Sequence, residues 1–287
     1  MRLGAPLLGF LLLFAPPALA APNAVVHAVQ MPAWLDRAGR VTPLVPGQEM
    51  KSGDRVRTGE GARAYLKLPE GSLVKLGASA QLVFQTPPVE DSTYRAAMDV
   101  LAGAFRFTTA TVQKLRKRDV SIRVGTATIG IRGTDVWGRS GNDSDLVMLL
   151  EGQIELQPAL GEAFAMNEPN IVFTAAKGGA AAPLTVATPR EIATRARETE
   201  IQSGDGAARS HGRWQLFLGS FAGQDAALAV YDQAQDKGFA ARIRPGRDAS
   251  GTLHYAVVLP GFADQAEAMA AALRLKAATG LDARPMR

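Results

Sequence analysis

The stretch RWQLFLGSFAGQDAALAVYDQAQDKGF, residues Arg213–Phe239, is where the pattern of the chain changes. It opens with a short apolar strand, passes through Gly-Ser-Phe and continues with apolar residues at helical spacing from Asp225 to Lys237. Gly238 follows that run and is a typical helix stop. The stretch therefore predicts a strand, a turn and a helix at the start of a separate α+β domain.

Residues 213–287 continue the same plan. Strand patterns at 240–244 and 254–259 follow the first helix, a second helix is predicted at 265–278, and DARPM at 282–286 is a candidate closing strand. The order β-α-β-β-α-β is typical of a split-βαβ fold, in which one antiparallel sheet carries both helices on one face. The other face stays open and is a natural binding platform.

The first part of the chain has a β pattern. In ARAYLKL, Ala62–Leu68, alternate residues are apolar, and Gly-rich turns bound the run. Similar short runs are SLVKL (72–76), QLVF (81–84), VSIRV (120–124) and DLVMLL (145–150). Many short strands joined by such turns predict an all-β sandwich, roll or solenoid at 21–175, with its core at about 41–174.

Residues 176–212 differ in composition from both neighbours and are predicted to be a linker. QSGDGAARSHG at 202–212 is polar and Gly-rich, which is typical of a flexible segment. A candidate helix lies at 189–201, with Thr188 as its cap and Pro189 in its first turn. We expect this linker to separate two independently folding domains.

The N-terminus has the pattern of a secretory signal peptide at residues 1–20. MRLGAPLLGFLLLFAPPALA has one Arg, a short apolar run, two prolines and a small-residue end. The alternative is an uncleaved membrane anchor, but the apolar run from Leu3 to Phe14 is too short to cross a hydrocarbon core of about 30 Å. We therefore expect an exported periplasmic protein with no transmembrane segment after signal cleavage.

The composition argues against catalysis and against nucleic acid as a partner. Cysteine is absent, and His27, His211 and His254 have no metal-ligand spacing. No nucleophile elbow, phosphate loop or dinucleotide motif is present, so we expect no enzyme activity, no cofactor and no metal. The formal charge is +5, and the cluster KLRKR at Lys114–Arg118 lacks the interleaved aromatic residues of a nucleic-acid surface.

Three ordered motifs in the β half resemble the FecR domain. They are SGDRVRTGEGARAYLKLPEGSLVKLGASAQL at Ser52–Leu82, GTATIGIRGTDVWG at Gly125–Gly138 and VMLLEGQIEL at Val147–Leu156. The best-known members join this domain to a membrane helix and a segment that controls a sigma factor, neither of which is expected here. The resemblance implies an extracytoplasmic β domain that contacts another protein or the wall. Arg132 and Asp135 are expected to form an internal structural pair.

The C-terminal motifs resemble the SPOR domain. They are WQLFLGSF at Trp214–Phe221, AALAVYDQAQDKGF at Ala226–Phe239 and YAVVLPGFADQAEA at Tyr255–Ala268. Members of this family bind peptidoglycan, mainly glycan strands stripped of stem peptides, on the open sheet face, and they concentrate at division sites. The resemblance implies peptidoglycan glycan strands as the partner, with envelope or division proteins as candidate partners of the FecR-like domain.

Alternation along the predicted strands selects the candidate binding residues. A sugar strand needs hydrogen-bonding groups for its hydroxyl and acetamido groups and a flat apolar surface for its rings. Side chains on alternate strand positions point away from the helices and can supply both. The candidate glycan-binding residues are Gln215, Phe217, Ser220, Arg242, Arg244 and His254.

Three positions depart from the SPOR pattern at the expected groove. The family's strand-one Gln falls on Phe217, its strand-three Arg falls on Ala256, and its Gly-Pro order appears as Pro260-Gly261. Two functions therefore stay open. The protein is a wall-binding protein, or it is a periplasmic signalling adaptor that docks onto protein through Phe217 and Val258. RNA binding, which other split-βαβ domains perform, is disfavoured by the signal peptide.

Overall fold

The computed structural model describes residues 24–85, 94–110 and 118–287. The predicted signal peptide at 1–20 and most of the basic cluster at 114–118 lie outside the described residues. The described chain forms a β domain, a helix-containing connection and a C-terminal α+β domain. This is the predicted two-domain fold class.

Short strands build the β domain. They are β1 (Ala24–Gln30), β2 (Ala33–Arg37), β3 (Arg40–Pro43), β4 (Glu49–Met50), β5 (Arg55–Thr58), β6 (Arg63–Lys67), β7 (Leu73–Leu76), β8 (Gln81–Gln85), β9 (Tyr94–Thr108), β10 (Arg118–Val124), β11 (Ala127–Ile131), β12 (Asp135–Ser140), β13 (Ser144–Glu151), β14 (Ile154–Pro158), β15 (Phe164–Met166), β16 (Ile171–Ala176) and β17 (Thr185–Val186). One sheet has the order β17-β16-β13-β12-β9-β7-β6-β1, and the other has the order β3-β2-β5-β8-β9-β10-β11-β14-β15. The two sheets share a hydrophobic core, so they form a sandwich.

The long strand β9 passes from one sheet to the other at Gly103. Its first half pairs with β10 in one sheet, and its second half pairs with β12 in the other. Gly103 has φ +78°, and an added Cβ would lie 2.5 Å from the Cα of Ala80. A side chain would therefore collide with the backbone at this corner, which explains the glycine.

The core confirms the alternation in ARAYLKL, because Ala62, Ala64, Leu66 and Leu68 are all buried. Large aromatic side chains fill the space between the sheets. They are Phe84, Phe105, Phe107 and Phe173. Burial of each one contributes about 1.5–3 kcal/mol to folding.

The β core begins earlier than the predicted boundary at about residue 41. Strand β1 at Ala24–Gln30 lies inside the first sheet and pairs with β6. A register shift between Val26 and Ala28 breaks its alternation of buried and exposed residues, so no strand period is visible in the sequence. This strand later becomes the attachment point of the C-terminal domain.

The expected pair between Arg132 and Asp135 is wrong. Asp135 accepts two hydrogen bonds from the guanidinium of Arg106, at 2.8 and 2.6 Å. Arg132 is exposed and lies 3.6 Å from Glu155 on β14. The cause is strand pairing, since β9 places Arg106 opposite Trp137 and next to Asp135, on a strand distant in sequence.

The connection at 176–212 is not a flexible linker. It contains the helix α1 (Pro189–Thr199), whose first turn is closed by a capping box between Thr188 and Glu191. The residue after this helix, Glu200, accepts hydrogen bonds from Tyr65 at 2.9 Å and Lys75 at 2.6 Å. These contacts fix the end of α1 on the β domain.

The strand β18 (Ala207–Arg209) joins the two domains. It pairs with β1, where Ala208 lies opposite Val29, and it also meets the C-terminal sheet, where Ala208 lies opposite Phe262. The carboxylate of Glu267 accepts hydrogen bonds from the backbone of Gly204, Gly206 and Ala207 at 2.8, 2.7 and 2.9 Å. The composition of 202–212 is typical of a flexible segment, but these tertiary contacts order it.

The C-terminal domain has the predicted β-α-β-β-α-β order. Its elements are β19 (Trp214–Phe221), α2 (Gln224–Asp236), β20 (Arg242–Arg247), β21 (Leu253–Phe262), α3 (Gln265–Thr279) and β22 (Arg284–Met286). The sheet order is β20-β21-β19-β22, with all neighbours antiparallel. Leu216, Val257 and Leu259 belong to one core with the alanine-rich faces of α2 and α3, so both helices cover the same side of the sheet.

The second strand extends beyond its predicted end at Pro245-Gly246. β20 continues to Arg247 because it is an edge strand paired with β21 alone, and a proline there can direct its missing N–H outward. Within the described ranges, no helix is both long enough and apolar enough to cross a bilayer.

Candidate functional site

The candidate site is the open face, defined here as the surface of β19–β22 opposite α2 and α3. The structure places all six candidate residues on this face, in strands β19, β20 and β21. They are Gln215, Phe217, Ser220, Arg242, Arg244 and His254. Arg242, Arg244 and Ser220 are exposed, and the other three are half-buried.

Cross-strand pairing arranges these side chains in rows. Val258 lies opposite Arg242 on one side and Phe217 on the other, and Phe217 in turn lies opposite Arg284. Residues directly opposite each other in a sheet have Cβ atoms about 4.5–5.5 Å apart, so the row is continuous across four strands. The row has an apolar centre and a guanidinium at each end.

A second row lies beside the first. Ala256 is opposite Arg244 on β20 and opposite Ser220 on β19. Simple alternation from Phe217 would turn Ser220 toward the helices. A register shift between Phe217 and Gly219 inserts one residue into β19 and brings Ser220 back to the open face.

Gly219 is needed at this bulge for a steric reason. An added Cβ would lie 2.7 Å from the ring of Phe221, which packs against the core. The Gly-Ser-Phe corner therefore does two things. It packs the partly buried Phe221 against the core, and it exposes Ser220 in the same row as Arg244, with Ala256 between them.

Sequence reasoning missed Arg284. Its guanidinium lies 4.9 Å from the centre of the Phe217 ring, within the range of a cation–π contact. DARPM at 282–286 is a predicted closing strand. Pairing of this strand with β19 is the signal that could place Arg284 on the open face. The ring of Phe217 therefore packs against a guanidinium group and is not a free apolar surface.

The ionisable side chains of arginine and histidine make the open face basic. β19, β20, β21 and β22 contain arginine and histidine but no aspartate or glutamate. Within residues 24–85, 94–110 and 118–287, Arg242, Arg244 and Arg284 form no salt bridge. Their charges are therefore available to an anionic or strongly hydrogen-bonding ligand.

The hairpin between β20 and β21 has an ordered turn. Asp248 accepts hydrogen bonds from the Ser250 hydroxyl at 2.6 Å and from the backbone of Thr252 and Ser250, both at 2.9 Å, and these bonds lower the pKa of its carboxyl. At the same end, His254 lies over Gly246, where an added Cβ would be 2.9 Å from the imidazole Nε2. The glycine thus leaves room for the imidazole on the open face.

The three departures from the SPOR pattern fall at defined places. Phe217 lies at the centre of the first row, and Ala256 lies at the centre of the second. Gly261 has φ +108°, and an added Cβ would lie 3.1 Å from the carbonyl oxygen of Arg209. The Pro260-Gly261 order therefore places glycine where β18 approaches closely.

The two rows combine one aromatic ring with hydrogen-bond donors. The half-buried ring of Phe217 lies between guanidinium and hydroxyl groups that can donate hydrogen bonds. Val258, the other apolar residue of the first row, is only 1% exposed and adds almost no accessible surface.

Comparison with known proteins gives matches in both halves of the chain. The family model for the FecR protein matches residues 54–155, and the model for the SPOR domain matches residues 210–283. No curated protein matches the chain.

Two crystal structures of a "putative anti-sigma factor" from Parabacteroides distasonis are similar to the chain. The one at 1.65 Å resolution is 12% identical, covers 68% of this chain and 95% of its own, and has a TM-score of 0.39. The one at 2.50 Å is 12% identical, covers 79% of this chain and 91% of its own, and has a TM-score of 0.41.

The two family matches agree with the motifs and with the folds described above. FecR and SPOR domains are binding or signalling domains rather than catalytic ones, and both are associated with the cell envelope. The SPOR domain connects the chain to peptidoglycan, and the FecR domain connects it to signalling. The chain therefore carries a FecR domain followed by a C-terminal SPOR domain.

Proposed function

We propose that this is an exported, non-enzymatic cell-wall protein of the periplasm. Its SPOR domain binds glycan strands that have lost their stem peptides, and its FecR domain contacts envelope or division proteins or the wall. The binding residues are the six of the open face together with Arg284. No cofactor and no metal takes part.

The observation that carries the proposal is the row Arg242–Val258–Phe217–Arg284. Loss of the stem peptide frees one carboxylate on each muramic acid, so a denuded strand is a repeating polyanion with apolar ring faces. The row offers a guanidinium at each end and the ring of Phe217 between them, which matches that chemistry. The absence of acidic residues from all four strands removes the repulsion that would oppose it.

Sedimentation with purified sacculi tests the proposal. The protein without residues 1–20 is mixed with amidase-treated sacculi and with untreated sacculi. We expect it to pellet with the treated wall and to stay largely in the supernatant with the untreated wall. The proposal fails if the protein stays in the supernatant of treated sacculi as completely as an unrelated protein of similar charge.

The second candidate function is a periplasmic signalling adaptor that docks onto protein through Phe217. It is favoured by one observation, the half-buried aromatic ring of Phe217 at the centre of the open face. The guanidinium of Arg284 over the Phe217 ring opposes it, because an apolar docking contact would have to displace that charge.

The substitution Phe217→Gln separates the two functions. In a glycan-binding protein, the guanidinium groups of Arg242, Arg244 and Arg284 still bind the carboxylates of the strand, and glutamine replaces the ring contact with hydrogen bonds to sugar hydroxyl groups, so retention on treated sacculi is kept or improved. In a protein-docking adaptor the same change removes the central apolar contact and abolishes binding. Fluorescence microscopy of the exported SPOR domain tests where the protein binds in the cell. A septal band supports binding to denuded glycan at division sites, and a uniform rim argues against it.

A further inference from the structure

A cleft between the two domains lies at one end of the open face. Its volume is about 210 Å³, and the SPOR domain lines it with Arg242 and Pro260. Both residues belong to the open face, because Arg242 lies opposite Val258 in the first row and Pro260 lies opposite Gln215. A ligand that lies on the open face at this end therefore also reaches the cleft.

The β domain supplies the opposite wall through the turn between β3 and β4. Val45 and Pro46 line the cleft from this turn. The turn is attached to β1, since the N–H of Gly47 donates to the carbonyl oxygen of Val26 at 2.8 Å, and the N–H of Val26 donates to that of Gln48 at 2.9 Å. The sandwich therefore holds this wall in one position.

The connection between the domains lines the cleft with Ser210. The side chain of this residue faces the β domain, because an added Cβ on Gly47 would lie 3.4 Å from the Ser210 hydroxyl oxygen. The preceding Arg209 also lines the cleft, but cross-strand pairing places its side chain in the row of Tyr65, which does not line it. The guanidinium of the cleft is therefore that of Arg242.

The lining of the cleft is mostly apolar. Among the described residues, no aspartate or glutamate lines it, and Arg242 forms no salt bridge. The guanidinium of Arg242 and the hydroxyl of Ser210 can donate hydrogen bonds to an occupant. The apolar lining residues are Met31, Val45, Pro46, Ala208, Ala240 and Pro260.

The size and chemistry of the cleft fit the acetamido group of an N-acetylated sugar. Pockets for separate small molecules usually measure about 300–1,000 Å³, so about 210 Å³ suits one substituent of a ligand bound at its mouth. An acetamido group has a methyl group for the apolar walls and a carbonyl oxygen that accepts from Arg242 or Ser210. A carboxylate fits less well, because apolar walls would surround most of its charge.

We propose that this cleft is a subsite for the acetamido group of one sugar unit of the bound glycan strand. The methyl group lies against Val45, Pro46 and Pro260, and the carbonyl oxygen accepts from Arg242. The β domain thereby contributes to the specificity of glycan binding. This inference rests on the proposed function, because the strand that fills the cleft is the one bound on the open face.

The test uses variants of the whole protein without residues 1–20. Ser210→Trp fills the cleft and leaves Arg242 in place, and Ser210→Gln fills it partly, which provides a second variant if tryptophan disturbs the fold. The matched control is Ser203→Trp, since Ser203 is exposed on the same connection and does not line the cleft. Unchanged thermal unfolding of each variant verifies the fold.

The two ligands are a purified denuded glycan oligosaccharide and the same oligosaccharide after N-deacetylation and N-formylation. The formylated form keeps the amides and the carboxylates but lacks the methyl groups. We expect the wild type and Ser203→Trp to bind the acetylated form about fourfold more tightly in calorimetric titration, the scale of one buried methyl group. Ser210→Trp should lose this preference, and Ser210→Gln should reduce it.

The possible failures are distinct. If the wild type binds neither form, the proposed function itself is wrong. If the wild type binds both forms equally, the acetamido subsite is wrong and the function stands. If Ser210→Trp keeps the preference of the wild type, the methyl group is recognised elsewhere and the assignment to the cleft is wrong.

Discussion

Two arginines of the β sandwich differ from the arginines of the open face in having a carboxylate partner. In the sandwich, Arg106 and Arg123 each lie within 2.6–2.7 Å of a carboxylate oxygen. On the open face, Arg242, Arg244 and Arg284 have no such partner within the described ranges. A paired charge is held in one geometry and supports the fold, whereas an unpaired exposed charge contributes little to folding and stays available to a ligand.

Under the proposed function, this contrast separates the residues that stabilise the fold from those that bind the ligand. It predicts large losses of stability where buried carboxylates are removed from the sandwich or from the connection. It predicts unchanged stability and weaker binding where open-face arginines are removed. Each substitution at one of these residues can therefore contradict the distinction as well as support it.

The largest effect is expected at Asp145. Its carboxylate is buried and accepts hydrogen bonds from Lys177, Ser140 and the backbone and side chain of Thr126. Asp145→Ala removes the acceptor that these donors share and leaves Lys177 with only the Ser140 hydroxyl, so we expect the free energy of unfolding to fall by about 3 kcal/mol. The exposed Asp143 in the same hairpin is the matched control. Urea unfolding measures both, and equal effects at the two sites would contradict the account.

A smaller loss of unfolding free energy is expected at Glu267, whose hydrogen bonds attach the connection to the C-terminal domain. Its buried carboxylate accepts three backbone N–H groups from 204–207, and Glu267→Ala leaves them unpaired. We expect a loss of about 2 kcal/mol and easier proteolysis of 202–212. Asp225 is the acidic residue of the first turn of α2 but is exposed, and Asp225→Ala should cost less than about 0.5 kcal/mol. Undiminished resistance to proteolysis in Glu267→Ala would argue for a connection held by other contacts.

A third prediction concerns pH and two neighbouring glutamates. Burial alone would raise the pKa of Glu200, but the hydrogen bonds and charge of Lys75, with Tyr65 and Arg106, lower it below its ordinary value of 4.5. Burial raises the pKa of Glu198 despite the opposing charge of Arg139. A carboxyl with a lowered folded pKa stabilises the fold above pH 4.5, and that stability disappears as pH falls through the folded pKa.

The two glutamates should therefore affect stability with opposite sign. Glu200→Gln should reduce the gain in unfolding free energy between pH 3 and pH 7 by about 1 kcal/mol. Glu198→Gln should increase that gain, because its charged form is disfavoured in the folded state. Chemical unfolding over this pH range measures both slopes. A change of the same sign in both variants would show that the pairing of Glu200 is not what stabilises the connection.

The sequence predicted much of the C-terminal domain because its elements are local. The helices, the closing strand and the glycine at position 280 follow from periodicity and turn chemistry, and the motifs placed Gln215, Phe217, Arg242 and Arg244 on strands. The contacts that were missed join residues distant in sequence. The partner of Asp135 is Arg106, on β9, and Arg284 reaches Phe217 only through the pairing of β22 with β19.

The connection at 176–212 shows a different limit. Its composition indicates flexibility, and nothing local distinguishes Ala207–Arg209 from a loop. The strand exists because β1 has a free edge and because Glu267, more than fifty residues later, binds the preceding turn. Tertiary contacts of this kind leave no periodic signal in the sequence.

The smallest effect on stability is expected at Arg244. It is exposed and unpaired, so Arg244→Gln should change the free energy of unfolding by less than about 0.5 kcal/mol. Arg247 is exposed on the same strand but alternates to the opposite side, where it donates a hydrogen bond to the backbone of Gly251 at 2.7 Å. Arg247→Gln therefore matches the charge change without touching the open face. A clear loss of stability in Arg244→Gln alone would mean that Arg244 belongs to the fold rather than to binding.

The central claim is that the open face binds denuded glycan through its unpaired arginines. Calorimetric titration with a purified denuded glycan oligosaccharide tests it most directly, using the wild type, Arg244→Gln and Arg247→Gln at low and high salt. We expect Arg244→Gln to weaken binding about tenfold, as loss of a charge-assisted contact does, and Arg247→Gln to bind like the wild type. The wild-type affinity should fall as salt rises. Equal affinity of all three proteins, or loss in Arg247→Gln alone, would contradict the account.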